Sequence, residues 1–134
     1  MKATLHKLIG TAVLSVALFS NSLPAWAGAA TRNEVYINSG RTNVQGSLTG
    51  ARYSADSEQY LGCESHDSST AVLVYCFAWD NRGRFFACRS TDPRIADAVK
   101  GMTDSSHLNI TAFKSGSEYV CSDLTVDNAS LYLR

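Results

Sequence analysis

The chain has 134 residues, of which 45% are hydrophobic and 18% are charged, and its 12 basic side chains balance 12 acidic ones. These proportions exclude a disordered chain, a collagen-like fibre and a protein with several membrane spans. Because no excess of basic residues offsets phosphate charge, we predict no nucleic-acid partner. The length suits one domain.

The first 27 residues have the pattern of a secretory signal peptide. Lys2 and Lys7 form a positive start, residues 8–19 are apolar, and Ala25-Trp26-Ala27 places small residues before the expected cleavage. The apolar run is shorter than the roughly 20 residues that a transmembrane helix needs. We therefore predict one exported globular domain at 28–134, periplasmic or extracellular, with no stable membrane insertion after cleavage. The short leader is typical of bacteria.

Four cysteines lie in the predicted mature domain: Cys63, Cys76, Cys88 and Cys121. An even number of cysteines in an exported protein predicts two disulfides. The spacings lack the CxxC pairs that a zinc site commonly has, so we predict no metal and no cofactor. The predicted strands favour the pairs Cys63–Cys76 and Cys88–Cys121. The alternative joins Cys76 to Cys88 across a hairpin and Cys63 to Cys121.

The first half of the domain shows short, weakly patterned segments. Val35-Tyr36-Ile37 is a brief apolar stretch, and residues 44–53 are interpreted as a strand with a bend at Gly46 or Gly50. Residue composition predicts three further segments: a loop at 54–58, a strand at 59–64 and a polar turn at 66–70.

The strongest signal is a hairpin in the middle of the chain. Residues 71–79 are rich in β-branched and aromatic side chains and predict a central strand. Asp80-Asn81-Arg82-Gly83 predicts the turn, with glycine at the position that needs a positive φ. Residues 84–90 would be the returning strand.

A short helix is predicted after this hairpin. Thr91 or Asp92 can cap it, Pro93 suits its first turn and Gly101 suits its end. Its apolar side chains recur at helical spacing and indicate a face packed on the sheet: Ile95, Ala98, Val99 and Met102.

The final segments predict two alternating strands and an edge strand. Residues 107–113 and 118–126 alternate polar and apolar side chains, with Val120, Leu124 and Val126 on one face, and residues 128–134 would add the edge. The fold class predicted is α+β: an antiparallel β-meander of five or six strands with one short helix packed on it. An all-β sandwich with an incidental helix is the alternative.

The sequence contains no convincing set of catalytic residues. Ser65-His66-Asp67 has the residue types of a serine triad, but adjacent residues in a chain do not converge as triad members do. His107 has Asp104 nearby, yet no serine stands out as its nucleophile. We therefore predict that the protein is not an enzyme.

Aromatic residues are concentrated around the predicted hairpin. Tyr75, Phe77 and Trp79 share one face of the central strand, and the opposite face carries smaller residues. The aromatic face is either covered by a second core layer or exposed. If exposed beside Arg82 and Arg84, it would be a binding surface for a protein or glycan.

The leading hypothesis is a small exported, disulfide-stabilised, non-enzymatic binding module of the inhibitor, immunity or envelope-associated type. One alternative is a small secreted hydrolase or toxin that uses His66 or His107. Another is an adhesive or structural surface component that assembles through an edge strand.

Overall fold

The computed structural model describes residues 33–129. The predicted signal peptide lies outside these residues, as do residues 130–134, on which most of the predicted C-terminal edge strand falls. No helix among the described residues is long and apolar enough to cross a membrane.

The described part of the chain is mostly β, with seven strands and two short helices. The strands are β1 (Tyr36–Ile37), β2 (Asn43–Ser47), β3 (Tyr60–Asp67), β4 (Val72–Trp79), β5 (Phe85–Ser90), β6 (His107–Ser115) and β7 (Glu118–Asp127). The helices are α1 (Leu48–Arg52) and α2 (Pro93–Lys100).

All seven strands form one mixed sheet in the order β1-β2-β6-β7-β5-β4-β3. Strands β3, β4 and β5 form an antiparallel meander, and β1, β2, β6 and β7 form a second antiparallel group. The two groups meet where β5 and β7 pair in parallel, with one registered pair, Arg89 and Val120. The predicted all-antiparallel meander is therefore wrong at this junction, and the described residues do not form the two packed sheets of a sandwich.

The hydrophobic core lies on one face of the sheet. On β4 the smaller side chains Val74, Cys76 and Ala78 are buried, and on β5 Phe86 and Cys88 are buried beside them. Helix α2 packs on β3, β4 and β7 and adds Ile95 to this core. We call this side the inner face and the opposite side the outer face.

The sheet is strongly curved, as contacts between segments near its two edge strands show. The Val35 N–H, just before β1, donates a hydrogen bond of 2.8 Å to Gln59 Oε1, just before β3. In the turn after β4, Asn81 Nδ2 also donates to Glu34 Oε2, just before β1, at 2.9 Å. The curvature wraps the inner face around the core and leaves the outer face convex.

Residues 48–52 form helix α1, so the interpretation of 44–53 as one bent strand is wrong beyond Ser47. The Ser47 hydroxyl accepts a hydrogen bond from the Gly50 N–H and caps the helix. A Cβ atom at Gly50 would lie 2.3 Å from the Asn33 carbonyl oxygen, so this close approach requires glycine. The glycine that suggested a bend in a strand instead permits a helix to pack against the backbone.

Helix α2 forms where the sequence indicates. The Asp92 side chain accepts a hydrogen bond from the Arg94 N–H, Pro93 opens the first turn, and Gly101 caps the end. Ile95 is buried in the core. The other predicted apolar positions, Ala98, Val99 and Met102, are half-buried against it.

Strand β7 contains a β-bulge that changes which of its side chains face the core. Thr111 pairs with Asp123 and Ala112 pairs with Cys121, so Ser122 is an extra residue. The prediction that Val120, Leu124 and Val126 share one face is therefore wrong. Val120 pairs with the exposed Phe113, whereas Leu124 is buried.

Two disulfides, which are typical of exported proteins, cross-link the inner face. They join Cys63 to Cys76 and Cys88 to Cys121, the pairs favoured from the sequence. The second bond links β5 to β7 and so spans the parallel junction between the two strand groups.

Candidate functional site

The outer face of β3, β4 and β5 carries a cluster of partly exposed aromatic rings. Tyr60 is 41% exposed, Tyr75 is 38% exposed and Phe85 is 40% exposed, and the other two rings are half-buried. We define the aromatic surface by its five members: Tyr60, Tyr75, Phe77, Trp79 and Phe85. Among residues 33–129, both helices pack on the inner side, so no described helix covers this surface.

Cross-strand register brings four of these rings into contact. Tyr60 lies opposite Trp79, and Trp79 lies opposite Phe85. Ring centroids are 6.4 Å apart for Tyr60 and Trp79, 5.9 Å for Trp79 and Phe85, and 6.0 Å for Tyr60 and Phe77. These distances suit favourable aromatic pairs, so the rings hold one another in place and form a pre-organised apolar surface.

Strand alternation predicts three members of this surface, Tyr75, Phe77 and Trp79, and the structure brings them together on one face. The sequence alone did not place Tyr60 and Phe85 on the same face. Strand alternation could have placed Phe85 there. Adjacent residues of a strand face opposite sides, and its neighbour Phe86 is buried in the core. The position of Tyr60 depends on the β3–β4 register, which local sequence does not show.

Searches of protein-family models, curated proteins and solved structures found no match to this chain. Its function is therefore inferred from the geometry and chemistry of its own residues.

The two predicted binding arginines have different environments. Arg84 is held by Asp80, because its Nε and a terminal nitrogen both lie 2.6 Å from Asp80 Oδ2. Its guanidinium also lies 5.5 Å from the centre of the Tyr36 ring. Arg82 is exposed at the hairpin tip, and its side chain makes no ion pair within residues 33–129. Arg84 therefore stabilises the hairpin, and Arg82 is the cation available at the edge of the aromatic surface.

Asp80 organises the turn that joins β4 to β5. Its side chain is buried, and Oδ1 accepts hydrogen bonds from the N–H groups of Arg82 and Arg84. Burial raises the pKa of Asp80, but the hydrogen bonds from the Arg84 side chain and from these N–H groups outweigh it, so the pKa lies below the ordinary value. The chain reverses at Gly83, whose φ of 72° favours glycine.

We expect Asp80→Asn to lower the free energy of unfolding by about 3 kcal/mol, because it leaves Arg84 half-buried without its counter-charge. A carboxylate with a lowered pKa stabilises the fold above its unfolded pKa, near 3.9, and loses this effect as the pH falls through the folded pKa. The variant should therefore lose less stability than the wild type as the pH falls below about 4. Urea unfolding across pH measures both effects.

Glu64→Gln is the matched control for this substitution. Glu64 is exposed and its carboxylate contacts the exposed His66, so the same acid-to-amide change should alter stability by about 0.5 kcal/mol or less. Equal losses in the two variants would contradict the structural role assigned to Asp80.

A second cation on the outer face is already paired. Arg89 lies directly opposite Tyr75, and its guanidinium forms an ion pair with Glu118. Both side chains are about half exposed. Because Arg89 lies opposite Tyr75, this ion pair borders the aromatic surface.

The two histidines of the alternative hydrolase hypothesis lie apart from each other on different strands. His66 Nε2 lies 3.4 Å from Glu64 Oε1, and its ring packs near Tyr75. Ser65 Oγ instead hydrogen-bonds to Asp67 Oδ1, since these two residues project to the opposite face from His66. Burial lowers the pKa of His107, and the charge of Asp127 opposes that shift.

An open cleft of about 770 Å³ lies between α1 and the loop before β6. Arg52, Tyr53 and Asp104 line it, together with Leu48 and three hydroxyl side chains. Tyr53 is 44% exposed, close to the exposure of Tyr60, although it belongs to a different part of the fold. This makes Tyr53 a matched control for substitutions on the aromatic surface.

Proposed function

We propose that this protein is a small exported binding module that recognises a protein partner through the aromatic surface. One observation carries the proposal: five aromatic side chains lie on the outer face of a sheet whose core lies on the other side, and four of them contact one another. Exposure of large aromatic side chains to water has an unfavourable free energy, and tyrosine and tryptophan are enriched at binding hot spots.

The surroundings of the surface favour a protein over a glycan. Protein interfaces combine an apolar centre with a polar, charged rim. Here the rim carries Arg82, the Arg89–Glu118 pair and Glu64. Tyr60 and Trp79 stack on each other, so part of their ring faces is not available for stacking on a sugar. We therefore expect a partner with apolar side chains at the centre and a carboxylate opposite Arg82.

The proposed module acts outside the cytoplasm. Its signal-peptide pattern and two disulfides support an exported location, and the disulfides stabilise the sheet that carries the rings. The rings are held by their mutual contacts, which reduces the conformational entropy lost on binding.

Site-specific photo-crosslinking tests the proposal in the exporting organism. A photoreactive amino acid at Ala87, which is exposed and directly opposite Phe77, should capture one protein. The same group at Thr125, an exposed position on β7, is the control and should not capture it. Capture of a glycan at position 87 would instead support the glycan alternative, and no specific capture at position 87 would contradict both.

The captured protein then allows a quantitative prediction. Tyr60→Ala should raise its Kd by about tenfold or more, because the substitution removes a ring that contacts two other members of the surface, Phe77 and Trp79. Tyr53→Ala should change the Kd by about twofold or less, since Tyr53 lies in the cleft beside α1. Isothermal titration calorimetry with the purified partner measures both values. Equal effects of the two tyrosine substitutions would show that the aromatic surface is not the binding site.

A further inference from the structure

The four cysteines form one row across four adjacent strands. Cys63 on β3 lies directly opposite Cys76 on β4, and Cys76 lies directly opposite Cys88 on β5. Cys88 is bonded to Cys121 on β7. Neighbouring cysteines in the row therefore lie on neighbouring strands, and the two disulfides lie end to end along it.

The two disulfides are close enough to react with each other. The sulfur atoms of Cys76, Cys88 and Cys121 lie within 4.8 Å of one another. Cys76 belongs to one disulfide, and Cys88 and Cys121 form the other. A thiolate at Cys76 would therefore lie within 4.8 Å of both sulfurs of the other disulfide, and Cys76 and Cys88 are a directly opposite cross-strand pair that a disulfide can join. By contrast, Cys63 and Cys121 are three strand spacings apart, about 14 Å, which is beyond the reach of a direct bond.

The row is not equally accessible along its length. Cys76, Cys88 and Cys121 are buried. Cys63 is half-buried on β3, the strand at one edge of the sheet. An external thiol can reach Cys63 more easily than the three inner sulfurs, and the limited opening favours a small thiol over the cysteine of another protein.

We infer that Cys63 is an acceptor site for a low-molecular-weight thiol, and that a shift of the second disulfide makes the modification persistent. The external thiolate attacks Cys63 Sγ, forms a mixed disulfide there and releases Cys76 as a thiolate. Cys76 then attacks Cys88 Sγ, forms a Cys76–Cys88 disulfide and releases the thiolate of Cys121, which takes up the proton that the external thiol lost. Two disulfides and one thiol are present before and after, so no oxidant or reductant is consumed.

The second step is what retains the small thiol. If Cys76 stayed free, it would attack the mixed disulfide at Cys63 and expel the bound thiol, because the two residues are directly opposite. Once Cys76 is bonded to Cys88, the nearest resolving thiol has been removed. The free thiol is then Cys121, two strands further from Cys63 than Cys76 is.

Peptide mapping of the oxidised protein after incubation with glutathione tests this inference. The reaction is stopped with acid, which removes thiolates, and the unfolded protein is treated with a maleimide. We expect glutathione on Cys63, a Cys76–Cys88 peptide and maleimide on Cys121. Maleimide on Cys76, glutathione on another cysteine, or no glutathione adduct would each overturn the inference.

Cys63→Ser examines the second step without an external thiol. Before any exchange, this variant has a free Cys76 beside the Cys88–Cys121 bond, which spans the strand junction. We expect the maleimide label to appear on Cys121 together with a Cys76–Cys88 peptide. Label confined to Cys76 would show that the disulfide does not shift and would overturn the inference.

Discussion

Replacing both Cys88 and Cys121 with alanine is expected to lower the free energy of unfolding of the oxidised protein by about 4 kcal/mol. The bond joins residues 33 apart in the sequence, whereas Cys63–Cys76 joins residues 13 apart. Loop-closure entropy alone then gives about 3.7 kcal/mol for the longer loop and about 2.9 kcal/mol for the shorter one. Both members of the longer pair are buried, so truncating them also removes core contacts.

The position of the Cys88–Cys121 bond adds a second reason for the larger effect. The β5–β7 pairing is the only strand pairing that joins the two antiparallel groups among the described residues, and its ladder has one registered pair. The disulfide holds this junction covalently. Without it, we expect the two groups to separate more readily, with faster amide hydrogen exchange in β5 and β7 than in the β3–β4 pair.

Urea unfolding of two double variants under non-reducing conditions measures the difference. Cys63→Ala with Cys76→Ala is the matched control, since it removes the other disulfide and leaves the junction cross-linked. We expect the control to be more stable than the Cys88–Cys121 variant by about 1 kcal/mol or more. Equal stability, or the reverse order, would show that the junction does not depend on its disulfide.

The features that could be predicted from sequence are those determined by neighbouring residues. The turn at Asp80-Asn81-Arg82-Gly83 and helix α2 with its cap at Asp92 follow from local signals, and both are present. The disulfide pairs also agree with the favoured alternative. For the turn and the helix, the residues that determine the structure lie within or beside the element concerned, whereas the disulfide pairing was inferred from the predicted strands.

The features that could not be predicted depend on contacts between distant segments. Nothing in the sequence of β5 or β7 shows that they pair in parallel, because this arrangement arises when the β6–β7 hairpin docks with its second strand beside β5. The bulge at Ser122 also leaves no clear local signal, yet it moves Val120 to the outer face. Helix α1 was missed because Gly50 suggests a bend in a strand unless its approach to Asn33 is known.

The candidate site divides in the same way. Strand periodicity was sufficient to place Tyr75, Phe77 and Trp79 on one face. It could not show that Tyr60 joins them, or that Arg84 is held by the buried Asp80 and is not free to bind a partner. The edges of the surface are therefore set by tertiary structure.

Two adjacent phenylalanines separate the contribution of the aromatic surface to binding from its contribution to stability. Phe85 lies on the outer face and Phe86 is 1% exposed in the core. We expect Phe86→Ala to lower the free energy of unfolding by about 3–5 kcal/mol, because it leaves a cavity beside the disulfides. Phe85→Ala should cost about 1 kcal/mol, mainly through its contact with Trp79.

Binding is expected to respond in the opposite order. Phe85→Ala should raise the Kd for the crosslinked partner by about tenfold, whereas Phe86→Ala, measured at a temperature where it remains folded, should leave the Kd nearly unchanged. The two variants have the same change in composition at consecutive positions, so neither the loss of a ring nor its place in the sequence can account for a difference. If Phe85→Ala bound normally and instead lost as much stability as Phe86→Ala, the outer rings would form a second core layer, and the aromatic surface would have no role in recognition.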